Sequence, residues 1–82
     1  MHILIIEDEP RAARQLEHML KACDFTYELL EIIDTVENAV IWFQKNTPPG
    51  LVFMDIQLAD GLSFEIFQKT AVEAPIIFTT AF

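Results

Sequence analysis

Three apolar stretches of this chain read as buried strands: Ile3-Leu4-Ile5-Ile6, Leu51-Val52-Phe53-Met54 and Ile76-Ile77-Phe78. A strand that is apolar at every position is buried on both faces, which suits a parallel sheet covered by helices on each side. The segments between the runs carry helical patterns. The order therefore reads βαβαβαβ, which implies a parallel α/β sheet built from right-handed crossovers. Each run also ends in reactive side chains: Glu7 and Asp8, then Asp55, then Thr79-Thr80. In an open parallel sheet the C-terminal ends of the strands line the crevice where ligands bind. Carboxylates from two neighbouring strands thus meet in one place. Three of them repel one another unless a hard cation sits between them, and Mg²⁺ with oxygen ligands is the natural candidate.

The first strand is expected over His2 to Ile6. Pro10 suits the first turn of a helix, with Asp8 or Glu9 as its cap. Ala12, Ala13, Leu16, Met19, Leu20 and Cys23 recur at helical spacing and predict a buried stripe. A second strand spans Tyr27 to Ile33, where Glu28 and Glu31 point to a sheet edge or a partly exposed face. Asp34 or Thr35 can cap a second helix with Val36, Ala39, Val40 and Phe43 inward and with Ile41 and Trp42 off that face. A loop over Asn46 to Gly50 leads to the third strand, Leu51 to Asp55. Asp60-Gly61 is a turn, and a third helix is expected over Leu62 to Thr70 with Leu62, Ile66 and Phe67 inward. Pro75 to Thr79 makes the fourth strand.

Composition narrows the function. With 82 residues there is one domain at most, and 52% hydrophobic content excludes a disordered tail. A net charge of -8 with only five Lys and Arg argues against direct nucleic-acid binding. The single cysteine, Cys23, excludes an intrachain disulfide and is expected to be a buried structural thiol. No apolar run is long enough to cross a membrane, and no signal-peptide pattern opens the chain, so a cytoplasmic location is expected.

Taken in order, Ile5-Ile6-Glu7-Asp8-Glu9-Pro10, Phe53-Met54-Asp55-Ile56-Gln57-Leu58, Asp60-Gly61 and Thr79-Thr80-Ala81 resemble a response-regulator receiver domain. The phrasing is most like receivers of the LytTR class, whose full-length members carry a DNA-binding domain downstream. The resemblance implies a flavodoxin-like, doubly wound parallel sheet of order 2-1-3-4 over residues 1–82, with the fifth strand and the last two helices missing. It implies a phosphoacceptor module of two-component signalling rather than a turnover enzyme. Asp55 would accept the phosphoryl group from a sensor histidine kinase. Asp8, Glu7, Asp55 and the backbone carbonyl of Gln57 would hold Mg²⁺, and Thr80 would be the switch hydroxyl that binds the phosphoryl group.

The chain departs from the family pattern at Ala59, where proline is usual, and in a short loop after Asp55. The family's lysine and aromatic switch residue on the fifth strand have no counterpart here. Losing one preorganised donor of the lysine's kind costs about 2.7–4 kcal/mol of transition-state stabilisation. Two other readings share these residues. A phosphohydrolase of the haloacid dehalogenase type also uses an aspartate after a strand, but needs a second one where Gln57 stands. An inert, truncated fragment would act only by self-association through the open edge of the fourth strand or the uncovered sheet face, and a homo-oligomer is expected on that ground.

Overall fold

A computed structural model describes residues 1–79. The elements run β1 (His2–Ile6), α1 (Pro10–Ala22), β2 (Glu28–Ile33), α2 (Val36–Lys45), β3 (Leu51–Asp55), β4 (Gln57–Leu58), β5 (Gly61–Leu62), α3 (Phe64–Lys69) and β6 (Ile76–Thr79). The main sheet has the order β2-β1-β3-β6, all parallel, which is the expected 2-1-3-4 with β6 in fourth place. The glutamates of β2 do lie on an edge strand.

Side-chain alternation explains why β1 is apolar from Ile3 to Ile6. Leu4 and Ile6 face one way and join Ile33, Val36, Ala39, Val52, Met54, Leu58 and Ile66, on the side of α2 and α3. Ile3 and Ile5 face the other way and pack with Leu20, Leu16, Leu29 and Phe53, on the side of α1. The four apolar side chains of β1, Ile3 to Ile6, are fully buried. Burial of each is worth about 1.5–3 kcal/mol relative to exposure, so this strand anchors both layers.

Pro10 occupies the first turn of α1, and Glu9 caps it by accepting from Arg11 N at 3.4 Å. The expected buried stripe of α1 narrows at its far end. Ala13 and Leu20 are buried, but Met19 is 61% exposed. Cys23 is also exposed, contrary to the expected buried thiol, because the backbone leaves the helix there (φ -78°, ψ 144°). Thr35, not Asp34, supplies the side-chain cap of α2, accepting from Asn38 N at 3.0 Å. Trp42 lies at the helix edge, half-buried against the core.

The segment after β3 differs most from expectation. Residues 57–62 form a small antiparallel hairpin, β4–β5, so α3 starts at Phe64 rather than Leu62. Leu62 belongs to β5 and is exposed, Phe67 is exposed, and only Ile66 of the expected inner face is buried. Ser63 takes the buried place at the head of α3, its hydroxyl without a hydrogen-bond partner among the described residues. Gly61 has φ +152°, a region that side chains with a Cβ rarely adopt.

Candidate cation and phosphoacceptor site

Parallel pairing of β1 with β3 in the register Ile6 to Met54 brings the next residues, Glu7 and Asp55, level at the sheet's C-terminal rim. Asp8 follows Glu7. One carboxylate oxygen from each of Glu7, Asp8 and Asp55 lies within 4.8 Å of the others. All three expected carboxylates therefore meet. Glu7 is only 7% exposed, whereas Asp8 and Asp55 are half-buried. An open cleft of about 520 Å³ lies in front of them, lined also by Glu9, Gln57, Leu58 and Ala59. No lysine or arginine is among its lining residues.

Backbone amides fix two of the three carboxylates. Glu9 N donates to Glu7 Oε2 at 3.2 Å, and Ile56 N donates to Asp55 Oδ1 at 2.8 Å. The Glu7 main chain is held as well, its N–H donating to Ile33 O at 2.8 Å. Burial pushes the Glu7 carboxyl up from an ordinary 4.5 to about 7. A hydrogen bond with Asp55 and the charges of Asp55 and Asp8 act in the same direction, while the Glu9 N–H opposes them. Three clustered oxygen acids facing a cleft without a basic side chain fit a hard divalent cation.

Gln57 heads β4 at the cleft wall. Thr79 stands beside Asp55 in the β3–β6 register and is half-buried. Thr80, the expected switch hydroxyl, lies outside the described residues. His2 and His18 are surface residues, and His2 approaches Glu28 at 3.8 Å.

Asp60 has a role that its turn position did not announce. Its carboxylate reaches the N-terminus of α2, accepting from Val36 N through Oδ1 at 2.6 Å and from Glu37 N through Oδ2 at 3.1 Å. The sequence held one usable hint, an acid in the turn after the strand that ends in Asp55, but nothing in the order of residues places position 60 beside position 36.

No protein-family model matches the chain. Over 84 residues it is 39% identical to the phyllosphere-induced regulator PhyR of Methylorubrum extorquens, in an alignment covering 98% of this chain and 30% of PhyR. It is 34% identical over 85 residues to the sensory transduction protein LytT of Bacillus anthracis, covering 100% of this chain and 34% of LytT. The chain thus spans about a third of the length of these curated relatives. Among solved structures, the MaeR response regulator bound to beryllium trifluoride matches with a TM-score of 0.82 at 25% identity, covering 100% of this chain and 68% of MaeR. The LytT match agrees with the likeness to the LytTR class.

Proposed function

The chain belongs to the response-regulator receiver family, and we propose that it works as the phosphoacceptor switch of a two-component pathway, with Asp55 as acceptor. The observation that carries this reading is the meeting of Glu7, Asp8 and Asp55 within 4.8 Å at the rim of the sheet. A receiver is a signalling switch rather than a turnover enzyme. The donor is a phosphohistidine on a sensor kinase. The bond from phosphorus to the histidine nitrogen breaks as one to an Asp55 oxygen forms.

Such a transfer asks the protein mainly for positioning and charge neutralisation. Ile56 N–H holds Asp55 Oδ1, which orients the other oxygen as nucleophile. Glu7 and Asp8 would hold Mg²⁺, with Asp55 and the Gln57 carbonyl completing the set. A bound Mg²⁺ supplies neutralising charge for the phosphoryl oxygens. Thr80 is assigned the hydroxyl that binds the phosphoryl group. The receiver relatives and the neutral Gln57 both weigh against the phosphohydrolase reading.

The likeness to LytT supports a transcriptional output, and with a net charge of -8 this segment is itself a poor partner for nucleic acid. No helix among the described residues is long and apolar enough to cross a membrane, and a cytoplasmic site of action is part of this proposal. Self-association is proposed through β6, which pairs only with β3 among the described residues and exposes Ile77 and Phe78.

Incubation with Mg²⁺ and a small-molecule phosphodonor, followed by mass mapping, tests the central assignment. One phosphoryl group should appear on Asp55, only with Mg²⁺, and not in Asp55→Asn. An adduct on Asp60, Glu7 or a histidine would refute it.

A further inference from the structure

We propose that Asp60 is a positioning residue for this site: its carboxylate straps the β4–β5 hairpin, and the Gln57 backbone with it, to the N-terminus of α2. The inference rests on the cation-dependent reading above. It starts from a mechanical problem. The hairpin has two residues in each strand, and ladders this short are marginal without outside support. Residues 56–63 contain no proline and one glycine, so nothing covalent fixes their path. Yet a main-chain ligand at Gln57 has to be held still to be useful.

The support comes from the β2–α2 junction. Ala59 N donates to Asp34 O at 3.4 Å, and both Asp60 oxygens accept from α2 amides. That junction is itself fixed to the site, since Ile33 O accepts from Glu7 N at 2.8 Å. The hydrogen bonds therefore run in a ring from Glu7 through Ile33 and Asp34 to Ala59 and Asp60. The chain closes it through Gln57 back to Asp55. Inside the hairpin segment, Ser63 N donates to Ile56 O at 2.8 Å and Leu62 N to Glu65 Oε2 at 3.0 Å. Among the described residues, the hydrogen bonds that tie this unit to the junction beside Glu7 are those of Ala59 and Asp60, and buried Leu58 adds apolar packing in the cluster that holds Ile33 and Val36.

A bland reading is that Asp60 merely caps α2. That helix already has its own cap at Thr35, which serves Asn38 N at 3.0 Å. Asp60 serves the two preceding amides from 23 and 24 residues away. The Val36 N–H holds the Asp60 carboxyl below its ordinary 3.8, helped by Glu37 N–H against a smaller effect of burial. The strap thus stays charged, and its hydrogen bonds charge-assisted, at neutral pH.

Thr35→Ala is the control, because it removes a cap from the same helix without touching the hairpin. The test uses the whole chain, with amide hydrogen exchange measured metal-free and Mg²⁺ affinity measured by amide-shift titration. Asp60→Ala should speed exchange at Leu62 and Ser63 and weaken Mg²⁺ binding about tenfold. Asp60→Asn keeps an oxygen acceptor and should retain most of both, which also decides the matter if the alanine variant folds poorly. Thr35→Ala should lower stability while leaving hairpin exchange and Mg²⁺ affinity unchanged. Equal losses in Asp60→Ala and Thr35→Ala, or no change at the hairpin in either, would overturn the positioning role alone. An unmodified chain without any Mg²⁺ response would overturn the proposed function together with it.

Discussion

Raising the pH of the metal-free protein should destabilise it through Glu7. Its carboxyl is buried against two other acids, and its folded value of about 7 lies above the ordinary 4.5. Between these values the folded chain keeps a proton that the unfolded chain has released. Folding then takes up a proton, so stability falls as pH rises. Glu7's contribution is complete below pH 4.5 and lost as pH passes through about 7. The full displacement corresponds to an upper bound of roughly 3 kcal/mol, against a total stability of about 5–15 kcal/mol for a typical domain. Urea unfolding at intervals from pH 4.5 to 8, without divalent ions, reads this directly. Glu7→Gln keeps a neutral donor toward Asp55 and should flatten the slope and stabilise the chain near neutrality. Saturating Mg²⁺ should also flatten it, because the cation binds the deprotonated acids. A slope that Glu7→Gln leaves intact would show that overall charge repulsion, not the Glu7 site, sets the pH dependence.

Gly61→Ala should cost about 1–3 kcal/mol, since the residue sits at φ +152° and its new Cβ would collide with the Glu65 carboxylate. Adding Glu65→Ala should recover the steric part only, as judged by thermal unfolding. Cys23 should react with a thiol reagent in the folded state at close to the rate of a free cysteine, and Cys23→Ser should change stability by less than about 0.5 kcal/mol. Ile77→Lys should shift the chain toward monomer in sedimentation, by placing a charge on the β6 edge.

The centre of the main sheet was legible because β1 is buried on both faces and β3 largely so, which leaves unbroken apolar runs in the sequence; the run of β6 reads the same way although Ile77 and Phe78 are exposed. The acids followed for a related reason: a carboxylate directly after such a run sits at the end of a buried strand. Where expectation failed, the sequence pattern was wider than the surface that receives it. Met19 lies about 120° around α1 from Ala13, so it belongs to the broad apolar stripe but not to the part the sheet covers. Cys23 falls beyond the last helical turn, where helical spacing no longer fixes its direction. Leu62 looked like a helix residue because Ile66 follows at the right interval, but the two-residue hairpin rotates it outward and buries Ser63 instead. Asp60 was read correctly as a turn residue. Its contact with α2 is a tertiary event spanning 23 to 24 residues, which local pattern does not encode.

The measurement closest to the central claim is a Mg²⁺ titration of the unmodified chain, followed at its backbone amides. Glu7, Asp8 and Asp55 acting as one cation site predict saturable shifts at Asp8, Asp55, Ile56 and Gln57, a sharply weaker response in Asp55→Asn, and little change on the opposite rim near Gly50. Shifts spread evenly over the acidic surface, or a response that survives Asp55→Asn unchanged, would contradict the claim that these three carboxylates form a single site.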